Sequence, residues 1–294
     1  MREYIISDLV MEGAEWGSLK GTKNGNAEHY SEDCFGEITV CRLRVDKDGE
    51  RYRKGRYVTV YSPKIYLLDS KGKGKLSSIL AGEVKKMLEK SLDKRLDGNT
   101  TILVAGVGNR QITPDAIGPM CVEKISVTRH IKRLDSAVFG RMGRCTVCAV
   151  ACGVMAQTGM DTAEILRGVV SECEPSAVVA IDALAARECE ALGSTVQISD
   201  SGIVPGAGVG NRQSAINTEA LGVPVIVIGV PTVVSAATLI GDTLTQNDVV
   251  ADVKIREILD ARKKFFVAPK ECDLLCESAS DVVAQALDIA FEVI

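Results

Sequence analysis

The chain has 294 residues, with 35 basic and 39 acidic side chains and a net charge of −4. Hydrophobic residues make up 46% and charged residues 25%, ordinary globular values that exclude disorder over most of the length. A chain of this size buries about 75% of its unfolded surface and needs neither disulfides nor a structural metal to fold. The near balance of charge lacks the excess of Lys and Arg expected of a nucleic-acid binder.

The opening MREYIISDLVMEG places acids where the apolar core of a secretion signal would stand, so the ten cysteines are read as free thiols in a reducing compartment. Positive charge concentrates between Arg42 and Lys75, where the sequence alternates like a hairpin around Asp48-Gly49. A solvated antiparallel ribbon is favoured there over a docking surface for an acidic partner. Ile79, Leu80, Val84, Met87 and Leu88 predict a helix over 77–92.

From Thr100 the texture changes. Uncharged runs at 101–104, 177–181 and 223–228 have the continuous apolarity of parallel strands covered on both faces. Between them lie helical patterns, the clearest at 161–172, where Asp161 and Glu164 are spaced as a capping box. Residues 195–198 add a short strand, and a last helix begins near Ser280. The uncharged run 223–240 approaches the length of a membrane span, but Pro231 would break such a helix, so it is read as a buried strand, a turn and a helix start. The expected fold class is α/β: a mostly parallel sheet with helices on both faces, phosphorylase/hydrolase-like, plus an N-terminal β-rich extension. One domain is expected over 1–294, with 1–98 as a hairpin-and-helix segment and 99–294 as the catalytic sheet core.

Two segments carry chemistry. In the first, a buried strand runs into Gly106-Val107-Gly108-Asn109, and Thr113-Pro114-Asp115 has the residue order of a helix start, with Pro at the first helical position and an acid in the first turn. This acid either complements the helix dipole or serves a site. Gln111 stands where a dinucleotide fingerprint needs its third glycine, which disfavours a nucleotide. In the second segment, Asp182 follows five apolar residues and is read as ending a strand, at the carboxyl edge where open α/β sheets bind ligands. Asp115 and Asp182 are therefore expected to share one crevice. Two carboxylates close together cannot both ionise cheaply, so the pair can hold one proton near neutrality, one member acting as acid and the other, Asp115 by its dipole, as base.

The motif AGVGNRQ occurs at 105–111 and again at 207–213, two glycine loops with similar steric needs. The second lies in the glycine-rich stretch after Asp200 and is read as a site wall. With only His29 and His130, a histidine-rich metal site is excluded, and Cys145-x-x-Cys148-x-x-x-Cys152 is read as core thiols rather than a metal cluster. No metal and no cofactor is expected.

Taken together, GRYVTV at 55–60, VGN and TPDAIGP within 107–119, AIDALAARECE at 180–190, STVQISDSGIVPGAGVGN at 194–211, LGVPVIVIGVPTVVSA at 221–236 and VAPKECD at 267–273 resemble the germination proteases of spore-forming bacteria, whose fold is related to the hydrogenase-maturation peptidases. The resemblance implies an endopeptidase that begins the degradation of small acid-soluble spore proteins, with Asp115 and Asp182 as its two catalytic aspartates. It also implies a self-processing zymogen, a homotetramer, and a place in the cytoplasm of the forespore or spore core. No membrane or direct nucleic-acid partner is implied. ISDLVMEG resembles the family's self-processing sequence, and by that resemblance the cut is expected near Asp8-Leu9. Substrate-binding or wall positions are expected at Gly108, Asn109, Thr113, Asp200, Gly206, Gly208 and Asn211. The alternatives are a metal-sensing peptidase of the hydrogenase-maturation kind and a non-catalytic binding protein on the same scaffold.

Overall fold

A computed structural model of the protein describes residues 6–12, 29–49, 52–206, 214–247, 253–262 and 264–293. In chain order its strands and helices are β1 (His29–Phe35), β2 (Ile38–Val45), β3 (Gly55–Tyr61), α1 (Ser70–Leu92), β4 (Thr101–Val107), α2 (Ile117–Lys124), α3 (Arg129–Leu134), α4 (Ser136–Arg141), β5 (Thr146–Gly153), α5 (Met155–Thr158), α6 (Thr162–Cys173), β6 (Ala177–Ala186), β7 (Thr195–Ser199), α7 (Thr218–Leu221), β8 (Val225–Ser235), α8 (Ala236–Gln246), α9 (Val253–Arg262), β9 (Phe266–Val267) and α10 (Cys272–Ala290).

The strands form one mixed sheet in the order β1-β2-β3-β7-β8-β6-β4-β5, with β9 paired to β8. The α/β class and the helices on both faces match expectation, but the mostly parallel sheet does not. Only β5-β4-β6-β8 is parallel, and the pairs β1-β2, β2-β3, β3-β7, β7-β8 and β8-β9 are antiparallel. The expected N-terminal extension is instead the antiparallel half of this same sheet. Tyr57 to Tyr61 pair with Ser199 to Thr195, so the basic ribbon is not simply solvated. Ile38, Val40, Val58 and Val60 bury one of its faces in the main core, while β1 stands exposed over 30–35.

Alternation along the strands gives the sheet two faces. On one face, Ile102, Val104, Val179, Ile181, Ile226, Ile228, Val196 and Ile198 pack beneath α1, α2 and α10. On the other, Leu103, Ala105, Val178, Ala180, Val225 and Val227 pack against Ala163 and Leu166 of α6 and Leu221 of α7. At the antiparallel end of that second face, Val10 and Met11 cover Cys41, Leu43 and Tyr57. The middle of the second face lies between these two covers and carries the cavity described below.

Helix α1 starts seven residues before the expected position. Asp69 caps it by accepting the Gly72 N–H at 2.7 Å, and its Lys- and Gly-rich first turns carry no apolar period. Helix α6 starts as expected, with the Asp161–Glu164 capping box formed. Helix α10 starts at Cys272, ahead of the expected Ser280. Strand β8 runs through Pro231 to Ser235 without the expected turn. Proline is tolerated because the β6-β8 register shifts there: Leu184 faces Pro231, Ala185 faces Val233, and Thr232 is the extra, bulged residue. Among the described residues no helix is long and apolar enough to cross a membrane.

Candidate active site

The site begins with a close approach of helix to sheet. Gly118, in the first turn of α2, lies so near the end of β4 and the middle of β6 that a Cβ there would sit 2.3 Å from the Val107 carbonyl oxygen and 2.4 Å from that of Ile181. Only glycine allows the start of α2 to rest on β4 and β6. Just upstream, Thr113–Asp115 form a single 3-10 turn with Pro114 inside it, and α2 proper starts at Ile117. Thr113 therefore makes no helix cap, and Asp115 lies ahead of the helix rather than in its first turn. The turn is pinned from both sides: the Cys276 thiol donates to the Thr113 carbonyl (3.2 Å), and the bulged Thr232 hydroxyl donates to the Pro114 carbonyl (2.6 Å).

Gly108 completes the cradle. It adopts φ +109°, and a Cβ there would lie 2.2 Å from the Asp115 carbonyl oxygen and 2.9 Å from its carboxylate. The Asn109 N–H donates to Asp115 Oδ2 at 2.8 Å, while the Asn109 side chain accepts from the Gln111 N–H and the Gln157 amide.

Asp182 does not end its strand, as expected, but sits at its middle, with β6 running on to Ala186. It is 4% exposed, rather than lying at a partly solvated edge, and Oδ1 accepts the following Ala183 N–H at 2.9 Å. Asp115 and Asp182 line one cavity of about 490 Å³. Burial, then the neighbouring Asp115 charge, push the Asp182 carboxyl well above the usual carboxylate range, and Asp8 adds to this. Burial also raises Asp115, against the pull of the Asn109 N–H, which favours its ionised form.

Residues 6–12 lie against the same cavity. The Ile6 N–H donates to the Thr238 hydroxyl (3.0 Å) at the start of α8. The Asp8 N–H donates to the Ala185 carbonyl, and the Ala185 N–H returns a bond to Asp8 Oδ2, each at 2.8 Å. Leu9 and Val10 are buried, and Glu12 accepts the main-chain N–H groups of Arg187 and Glu188 beyond the end of β6. Burial raises the Asp8 carboxyl too.

Comparison with known proteins gives this arrangement a family. The family model described as Peptidase_A25, germination protease, matches residues 17–254. The chain belongs to the germination protease family. The germination protease of Clostridium acetobutylicum is 40% identical over 317 aligned residues, covering 98% of this chain and 95% of that protein. That of Clostridium tetani is 36% identical with the same two coverages. That of Bacillus subtilis is 40% identical over 251 residues, covering 83% of this chain and 67% of its own length. Membership supports a protease role in spore germination, with proteins as substrates.

Set in this germination protease fold, the other positions named from sequence divide. Gly108 and Gly206 line the cavity with the two aspartates. Thr113 is exposed and takes part through its carbonyl alone. Asp200 is turned away: its carboxylate accepts the Arg56 N–H and pairs with Arg56 Nε, each at 2.6 Å, while its neighbours Ser199 and Ser201 line the cavity. Gly208 and Asn211 lie outside the described residues. Cys145, just before β5, packs against one core, and Cys148 and Cys152 on β5 pack against the other, which splits the trio across the sheet. Sequence reasoning missed Thr232 and Gln197, both at the cavity. The signal for Gln197 was an amide between the β-branched Val196 and Ile198 in TVQIS, and that for Thr232 a hydroxyl directly after a proline in a strand.

Proposed function

We propose that the protein is an endopeptidase that starts the degradation of small acid-soluble spore proteins during germination, using Asp115 and Asp182 to activate water. The observation that carries this reading is the one cavity lined by both Asp115 and Asp182, where burial, and then the Asp115 charge, favour the protonated form of Asp182. Asp115, nearer solvent and bonded by the Asn109 N–H, is the base, and buried Asp182 is the acid.

In the first step the Asp115 carboxylate takes a proton from water, the oxygen adds to the scissile carbonyl carbon, and Asp182 gives its proton to the carbonyl oxygen. In the second, Asp115 returns its proton to the amide nitrogen as the C–N bond breaks. Asp182 recovers a proton from the collapsing diol, and both side chains end as they began. A flexible, unfolded substrate suits the cleft because no folded structure has to be undone to lay it there.

The proposal extends to self-processing at Asp8-Leu9, supported by the docking of residues 6–12 at the cavity that holds both aspartates. It includes a homotetramer and a place in the forespore or spore core, as the family resemblance implies. The test is incubation of the full chain with a small acid-soluble spore protein, followed by mass mapping of the products and N-terminal sequencing of the enzyme. Discrete cuts, lost by a factor of about 10²–10⁴ in folded Asp115→Asn and Asp182→Asn proteins, are expected. Unchanged cleavage by both variants would exclude the dyad.

A further inference from the structure

We infer that Gln197 is a substrate-binding residue that grips the main chain of a bound peptide and so sets its frame against Asp182. The inference rests on the reading of the cleft as a peptidase site. It starts from register: Gln197 and Asp182 both pair with Gly229, one from each side. Residues directly opposite in neighbouring strands point to the same face, so Gln197 and Asp182 stand in one row, two strand spacings or about 10 Å apart. The residue between them has no side chain, and the space above it is taken by Leu184, which leans over from β6.

The strand alternates as this placement requires. Val196 and Ile198 enter the main core, while Gln197 and Ser199 line the cavity. Gln197 is 8% exposed, and an amide so buried is costly unless both its ends are satisfied. Its partners are main-chain atoms of residues 8–10: Oε1 accepts the Val10 N–H at 2.8 Å, and Nε2 donates to the Asp8 carbonyl at 3.1 Å. Both contacts are to groups that every non-proline residue carries, so the grip holds a chain in place without reading its side chains. Asp8 meanwhile reaches Ala185, three residues beyond Asp182 on β6. The docked segment therefore bridges β7 and β6, the two strands that present Gln197 and Asp182. A substrate chain in the same place would meet the same amide.

The experiment uses a synthetic peptide of residues 4–12, YIISDLVME, and its analogue with an ester in place of the Leu9-Val10 amide, which lacks the Val10 N–H. Binding of each to the full chain is measured by competition, in an Asp182→Asn background so that no turnover intervenes. Because both peptides must displace the chain's own residues 6–12, the ratio of their affinities within one protein cancels that step. With Gln197 intact, the ester is expected to bind about five- to tenfold more weakly, the loss of one buried neutral hydrogen bond. In Gln197→Met the ratio is expected to fall to about one, and in Gln197→Glu, which keeps the acceptor, to persist. Equal discrimination with Gln197 intact and in Gln197→Met, or no discrimination or no binding with Gln197 intact, would overturn the inference. None of these results bears on the dyad, which is judged by cleavage in the Asp115→Asn and Asp182→Asn proteins.

Discussion

Replacing Gly118 by alanine tests whether the close approach of α2 to the sheet sets the geometry of the site. The new methyl would lie 2.3 Å from the Val107 carbonyl oxygen, 2.4 Å from that of Ile181 and 2.5 Å from the Val107 nitrogen. All three are main-chain atoms of β4 and β6, so no side chain can swing aside. Ordinary contact begins at 3.4 Å, and the helix start must retreat by about 1 Å to reach it. Overpacking of this kind costs about 1–3 kcal/mol. Asp115 lies three residues upstream on the same rigid entry, so it moves away from Asp182 by a similar amount, and a 1 Å misplacement at a reacting centre costs about 10²-fold in rate. The assay is thermal unfolding together with steady-state cleavage of a spore-protein substrate. A folded Gly118→Ala protein with a lowered midpoint and a kcat reduced about a hundredfold is expected. Wild-type stability and turnover would refute the claim that this glycine seats the aspartate.

Other outcomes follow from single contacts. Asp182 has its folded pKa raised above the ordinary aspartate range, so the native state is fully favoured below about pH 4 and loses stability as pH rises towards that raised value. Asp182→Asn, which cannot ionise, should therefore melt higher than wild type at neutral pH and at nearly the same temperature as wild type at about pH 4; a difference independent of pH would contradict this. Thr232→Val removes the donor to the Pro114 carbonyl and should cost about 1 kcal/mol in stability and several-fold in kcat, with KM little changed; a change confined to KM would show that Thr232 touches substrate instead. Asp200→Asn breaks the half-buried pair with Arg56, whose Nη1 is already buried without a partner, and should lower stability by about 1–3 kcal/mol while the cut sites stay the same; altered cut sites would return Asp200 to the cleft wall.

What was legible in the sequence divides along physical lines. The strands β4, β6 and β8 could be read because burial on both faces leaves an unbroken apolar run, and Asp182 stood out by interrupting one of them. Asp115 was legible through the glycines and proline around it. The antiparallel half of the sheet was not: alternation in β2 and β3 looks the same whether one face meets α1 or water, and the β3-β7 pairing joins residues some 140 positions apart. Gln197 was hidden for a related reason. Its place beside Asp182 exists only through Gly229, the shared partner of two strands, and no local pattern encodes that register. Pro231 misled because a proline in a strand reads as a turn unless the bulge at Thr232 is known.

The proposed mechanism requires one proton held by Asp182 beside an ionised Asp115 at neutral pH. Infrared difference spectroscopy of the full chain against its Asp182→Asn form, with aspartate carboxyls isotopically labelled, observes that proton directly. A protonated-carboxyl band present in wild type at neutral pH, absent from Asp182→Asn and retained in Asp115→Asn is expected, because burial is the largest cause of the Asp182 shift and survives loss of its neighbour. A wild-type spectrum in which the Asp182 signal is that of a carboxylate at neutral pH would contradict the mechanism.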